Sequence, residues 1–390
     1  MSVSPRLYCP SPLVWMTALI LTAVACGAPP VEVSLEFLAD FNAPSGIAFA
    51  QLGDPSALAE SADPDDEPTT RAESRQRKAD GGFGGVSALS YDPSSGLLYA
   101  LSDSTNLRVF VLSIQLSERS LKVEPEAVLP LLDASGVPLP LWTVDPEGLA
   151  MASTGELIVS SEGYASRDPR VDPGIFRFGP DGRLLGSLPI PPHYLPRDTT
   201  GVRNNLSFES LTVSPDGATL LAATERNLQQ DEHECDASVG CLVRILRYGQ
   251  QADGWQPIAE YFYRTDPSIL SSLGLAELLW VRDRTVLTLE RGFERLEDGS
   301  TLQTVRVYQI ELPDRLSQSE LQAPLAKRLV LDLDSVKDRF SEGFRRLDNY
   351  EGMCFGPQLP NGDRTLLIVS DDNYSNQQRT SFLAFRLHAD

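Results

Sequence analysis

The chain has 390 residues, with 54 Asp plus Glu against 33 Lys plus Arg and a formal net charge of −21. A nucleic-acid groove needs the opposite sign, so that class of partner is excluded. The surplus acid either keeps an exported protein soluble or is concentrated to hold cations.

The N-terminus carries Arg6 and then an apolar run, Leu13–Ala25, too short for a comfortable bilayer anchor and followed by no stop-transfer pattern. Residues 1–25 read as a secretory signal peptide, with Ala23 and Ala25 at cleavage spacing. Cys26 follows as in a bacterial lipobox, where the Cys is lipidated and becomes the first mature residue, although Ala23 stands where that motif usually has Leu. The expectation is export, as a cell-envelope lipoprotein or a secreted or periplasmic protein, touching a membrane only through Cys26.

Residues 26–50 form an N-terminal segment in which Val31–Phe37 has the composition of a strand. Residues 51–82 lack period and apolar content. They run from Asp63-Pro64-Asp65-Asp66-Glu67-Pro68 into a basic patch, Arg71–Lys78, and are expected to be a disordered surface insertion.

From residue 83 to 390 the chain repeats itself. Each unit opens with a short strand marked by a small or acidic residue: Ser87, Glu147, Glu209, Glu277 and Glu351, at spacings of 60, 62, 68 and 74 residues. A turn follows, as in Asp92-Pro93-Ser94-Ser95-Gly96, Ser214-Pro215-Asp216-Gly217 and Pro360-Asn361-Gly362-Asp363. Then comes a second apolar strand ending in an acid: Leu98–Asp103, Leu157–Glu162, Leu220–Glu225, Val286–Glu290 and Leu366–Asp371. Further strand-like runs complete each unit. The pattern predicts an all-β protein, a single β-propeller of five four-stranded blades, with six left open by the longer spacings. The last unit has about three strands, and the Val31–Phe37 strand is expected to complete it by pairing the two ends of the chain.

In a hairpin, the start of one strand and the end of its antiparallel partner lie at the same end of the sheet. The marked positions should therefore gather at one rim of the channel. Nine are acids: Asp103, Glu147, Glu162, Glu209, Glu225, Glu277, Glu290, Glu351 and Asp371. Two carboxylates about 5 Å apart repel by roughly 3 kcal/mol at an effective dielectric near 20, so several such pairs need cations or Arg between them. Hard oxygen ligands suit Ca²⁺. Arg226 and Arg291 follow directly on Glu225 and Glu290, but adjacent residues in a strand point to opposite faces.

Cys235 and Cys241 flank a short polar loop and are expected to form a disulfide after export, whereas Cys354 lies in an apolar stretch as a core thiol. The histidines, His193, His233 and His388, stand outside the repeat motifs, and no Gly-x-Ser-x-Gly elbow occurs. A Ser-His-Asp hydrolase and a His-ligated transition-metal site are therefore excluded.

The motifs Gly85-Val86-Ser87-Ala88-Leu89, Leu101-Ser102-Asp103, Asp145-Pro146-Glu147-Gly148-Leu149, Asn205–Leu211, Thr224-Glu225-Arg226, Leu289-Glu290-Arg291, Asn349-Tyr350-Glu351-Gly352 and Ser370-Asp371-Asp372-Asn373 run in order along most of the chain. Together they resemble the phytase-like family, "esterase-like activity of phytase". Ala88, where Gly is expected, and the 51–82 insertion are the departures. A monomer is expected, and the resemblance implies a propeller hydrolysing a small-molecule phosphate or other ester with Ca²⁺ at the channel mouth. On that reading Glu147, Glu209, Glu351, Asp371 or Asp372 hold the ion, and Arg226, Arg291 or Arg379 grip the phosphate. A non-catalytic ligand-binding propeller and a Ca²⁺-dependent, lactonase-like carboxylic esterase remain as alternatives.

Overall fold

The computed structural model describes residues 31–43, 82–104, 106–231, 235, 238–268, 270, 272–297, 301–313, 323–375 and 377–389. The signal peptide, Cys26, His233 and the 51–82 insertion up to Gly81 lie outside these residues. No helix among the described residues is long and apolar enough to cross a membrane.

The first strand, β1 (Val33–Asn42), precedes four complete four-stranded groups. Blade 1 is β2 (Val86–Asp92), β3 (Leu97–Ser102), β4 (Arg108–Ser117) and β5 (Ser120–Pro130). Blade 2 is β6 (Pro146–Met151), β7 (Leu157–Ser161), β8 (Gly174–Phe178) and β9 (Leu184–Ser187). Blade 3 is β10 (Phe208–Val213), β11 (Thr219–Thr224), β12 (Leu242–Gln251) and β13 (Gly254–Arg264). Blade 4 is β14 (Ser272–Arg282), β15 (Thr285–Arg295), β16 (Thr301–Glu311) and β17 (Lys327–Asp332). The fifth sheet has the order β1, β20 (Ser381–Ala389), β19 (Arg364–Asp371), β18 (Asn349–Gly356), so the N-terminal strand supplies its outer edge. The chain is a five-bladed β-propeller.

Turn chemistry makes the hairpins. The Asp92 carboxylate accepts the Ser94 amide at 2.8 Å and the Ser95 hydroxyl at 2.7 Å, folding the chain back between β2 and β3. The strands that follow read as continuous apolar runs because both of their faces are buried. In β7, Leu157 and Val159 face blade 1 while Ile158 faces blade 3. Each gap between neighbouring blades is filled by such a cluster, and each fully buried Leu, Val or Phe contributes about 1.5–3 kcal/mol.

The innermost strands β2, β6, β10, β14 and β18 each pack on the next, and β18 returns to β2, which closes the ring. Closure of the last blade is antiparallel, from Val33 opposite Ala389 to Asn42 opposite Ser381. Phe37 of β1 anchors it, buried 5.6 Å from the Phe385 ring and 5.4 Å from the Phe340 ring.

Candidate functional site

The strand register decides what faces the channel rim. In blade 1, Val86 pairs with Ser102 and Ala88 with Leu101, which leaves Ser87 as a bulge. Glu209 and Glu351 are bulged in the same way, between Phe208 and Ser210 and between Tyr350 and Gly352. In blade 2 the irregularity spans Glu147 and Gly148. A bulge re-aims its side chain out of the ordinary alternation. Opposite these bulges, the residues just past the last Ser or Thr pair of the second strand are Asp103, Glu162, Glu225 and Asp371. Main-chain bonds lock three of them to the preceding blade connection: Asp103 N donates to Gly85 O at 2.8 Å, Glu162 N to Asp145 O at 3.1 Å and Glu225 N to Ser207 O at 2.6 Å.

Blade 4 departs from the expected ring. Its bulge falls on Ala276, and Leu275 pairs with Glu290, so Glu290 takes the Ser/Thr position and Arg291 takes the position of the acid. A slip of one residue sends every side chain to the other face. Glu290 is therefore buried away from the ring, where Tyr263 Oη donates to it at 2.5 Å, the Asp266 amide at 3.0 Å, and Lys327 pairs with it. Glu277 is also displaced. It lies buried between the inner strands, accepting the Leu278 amide at 2.9 Å and the Leu211 and Met353 amides, and burial pushes its carboxyl well above the usual range.

Seven acids thus remain around the rim, with Arg291 set among them. One Arg291 Nη lies 3.3 Å from Glu225 Oε1 and 3.2 Å from Glu351 Oε1, and the other donates to Asn349 Oδ1 at 2.7 Å. Asn349 Nδ2 in turn donates to Glu351 Oε1 at 2.8 Å. Protein encloses these carboxylates: Glu162, Glu225 and Asp371 are buried, and Glu351 keeps 14% of its side-chain surface.

The electrostatics follow from this enclosure. Burial raises the Glu351 carboxyl to about 7 despite Arg291, with Asp103 and Glu225 adding to the rise. Glu147 stands well above the usual range, first from burial and then from the charges of Glu209, Glu162, Asp145 and Asp103. Glu209, Glu162 and Asp371 are pushed up in the same way by burial and neighbouring carboxylates.

Among the described residues, Asp145, Glu147 and Glu162 each bring one carboxylate oxygen within 4.8 Å of the other two. These are hard oxygen donors with excess negative charge, the donor set of a hard cation, so the residues present fit a bound metal ion. Asp145 was not among the expected site residues, although it opens the Asp145-Pro146-Glu147 motif; Tyr164 Oη donates to its Oδ1 at 3.2 Å.

Of the other expected ligands, Glu209, Glu351 and Asp371 stand in the ring around that triad. Asp372 instead accepts the Gly85 amide at 2.9 Å and the Tyr374 amide at 3.0 Å. This contact holds Gly85 in the left-handed region (φ +57°), where a Cβ would come within 2.1 Å of Asp103 Oδ1. Among the expected phosphate ligands, Arg226 donates to Leu273 O at 3.1 Å, and Arg379 donates to Phe344 O and Arg346 O at 2.9 Å. Both tie segments of chain together. Cys235 and Cys241 are bonded to each other, and Cys354 is a buried free thiol. His193 pairs with Glu260 on blade 3, and His388 lies near Glu36 on β1.

Among solved structures, the chain is similar to a luciferin-regenerating enzyme (11% identity, 78% of this chain and 92% of that one, TM-score 0.38). It is also similar to the periplasmic gluconolactonase of Pseudomonas aeruginosa (15%, 78% and 89%, TM-score 0.34). A third is the catalytic domain of the Coprinopsis cinerea GH62 α-L-arabinofuranosidase (10%, 77% and 91%, TM-score 0.40). No curated protein matches the sequence. The family described as "Phytase-like: Esterase-like activity of phytase" matches residues 81–374, the span that carries the rim acids, and the chain belongs to that family.

Proposed function

We propose that this chain is an exported ester hydrolase acting on phosphate or other small-molecule esters with Ca²⁺ at the carboxylate-lined rim. The observation that carries the reading is the Asp145–Glu147–Glu162 triad, set in a ring of further acids within a phytase-like propeller. Asp145, Glu147 and Glu162 are the residues that would hold the ion. When bound, Ca²⁺ supplies charge to polarise the ester oxygen and acidify a water. Glu351 is the general acid. Asn349 and Arg291 fix its carboxyl, and burial raises it to about 7, so that near neutral pH a fraction of the molecules carry a proton there to give to the leaving oxygen. Arg291 then stands beside the carboxylate left behind, stabilising its charge until it is reprotonated.

Export is supported by the Leu13–Ala25 run before Cys26 and by the Cys235–Cys241 disulfide, which persists in an oxidising compartment. A panel of chromogenic phosphate and acyl esters, each with Ca²⁺ and with chelator, tests the activity. Turnover that requires Ca²⁺ supports the reading. Turnover confined to lactones and aryl acetates assigns a carboxylic esterase, and Ca²⁺ binding without any turnover assigns a binding propeller.

A further inference from the structure

The rim carries far more negative than positive charge, yet an anionic ester entering it needs a cation of its own. Arg291 is committed to Glu225, Glu351 and Asn349, and Arg226 and Arg379 to main-chain carbonyls. A different arginine is placed for the task. Arg167 lies in the connection from β7 to β8, which begins at Glu162 of the triad, and its side chain is exposed. Its guanidinium carbon sits 4.4 Å over the Trp142 ring and 5.7 Å from the Tyr164 ring centroid. Among the described residues it forms no ion pair.

The platform beneath it is built. Trp142, three residues before Asp145, adopts φ +65°, a conformation that a bulky L side chain rarely adopts. Its ring meets Tyr164 edge-on at 5.5 Å. Tyr164 then reaches the triad directly, its hydroxyl donating to Asp145 Oδ1 at 3.2 Å. The Arg167 amide donates back to Tyr164 O at 3.3 Å, which fixes the arginine's stem. Ring faces orient a guanidinium without neutralising it, because a quadrupole attracts the cation but leaves its N–H fork open.

We infer that Arg167, held on Trp142 and Tyr164, is the substrate-anion receptor of the rim. It binds the phosphate group of a phosphate monoester by two parallel N–H···O bonds beside Asp145, Glu147 and Glu162. A neutral acyl ester makes no such contact. Arg167 therefore sets the preference for charged over neutral esters and does not act in bond breaking.

The inference rests on the proposed function for the reaction but not for the anion, and the experiment separates the two. Inorganic phosphate binding is measured by calorimetry on the full chain with Ca²⁺ present, alongside steady-state kinetics on an aryl phosphate and an aryl acetate. Arg167→Ala should weaken phosphate binding about tenfold or more and raise KM for the aryl phosphate by a similar factor, leaving kcat and the aryl acetate KM unchanged. Trp142→Ala should shift affinity the same way, and Trp142→Phe, which keeps a ring face, should restore it. A wild type that binds no phosphate, or an Arg167→Ala affinity equal to wild type, overturns the inference. Arg167-dependent phosphate binding in a protein that hydrolyses no ester upholds it while sinking the proposed hydrolase.

Discussion

Replacing Glu351 by Gln in the metal-free protein isolates the charge of the ring. The folded-state value near 7 lies above the ordinary 4.5 because burial, Asp103 and Glu225 outweigh Arg291 and the Asn349 hydrogen bond. A raised carboxyl stabilises the fold fully below pH 4.5, and that stability is lost as pH rises through 7. The gap from 4.5 to 7 corresponds to about 3 kcal/mol at 1.36 kcal/mol for each unit. Gln cannot ionise, and its Oε1 still accepts from Asn349 and Arg291. In chelator at pH 8.5, Glu351→Gln should therefore be more stable than wild type by up to about 3 kcal/mol, roughly 5 °C in Tm for a domain of this size. At pH 5 most of that difference should be gone. Relief of the charge felt by Glu209 and Asp371 acts in the same direction. Added Ca²⁺ should reverse the sign at pH 8.5, because the wild-type ring then gains a counter-charge that the variant attracts less strongly. Thermal unfolding at both pH values, with and without Ca²⁺, reads all four states. Equal destabilisation by Glu351→Gln at pH 5 and pH 8.5 in chelator would refute the idea that the ring is held under charge repulsion.

Further outcomes follow from other contacts. Arg291→Met leaves Glu225 and Glu351 without their buried counter-ion and should cost about 3–5 kcal/mol in denaturant titrations at pH 8, with a smaller loss at pH 5, where Glu351 takes up a proton. Phe37→Ala removes the ring that packs on Phe340 and Phe385 and should cost about 3–5 kcal/mol by loosening blade 5 closure, measured as a lower denaturation midpoint. Gly85→Ala forces a Cβ toward Asp103 Oδ1 and the Tyr374 ring at φ +57°; it should cost about 1–3 kcal/mol and weaken Ca²⁺ binding through the displaced Asp103, read by calorimetry.

The blades were legible because turn residues and apolar runs recur together. Asp92-Pro93-Ser94-Ser95 binds its own backbone, and Leu157–Ser161 is buried on both faces, so local chemistry and tertiary context agree. Closure by the N-terminal strand was legible for a simpler reason, since the last unit lacked an edge. The register of blade 4 was not. Glu277 and Glu290 fit the repeat by spacing, but where a bulge falls depends on which residues pair across the hairpin, and here it falls on Ala276. That displacement removes two acids from the ring and brings in Arg291, which the sequence placed among the phosphate ligands and the structure places between Glu225 and Glu351. Asp145 was visible in its motif, but it precedes the strand and so lay outside a count of strand ends. Trp142 and Arg167 sit in connections with no period, and only the folded chain stacks one on the other.

The central claim is that the triad of Asp145, Glu147 and Glu162 holds a divalent cation on which ester hydrolysis depends. Calorimetric titration of Ca²⁺ into the metal-stripped protein and its Glu147→Gln variant tests it most directly, with side-chain shape preserved and one ligand charge removed. The account predicts a saturable heat in the wild type, at least about tenfold weaker in Glu147→Gln, with hydrolysis falling in step with occupancy. No heat of binding in the wild type, together with a melting temperature indifferent to chelator, would contradict it.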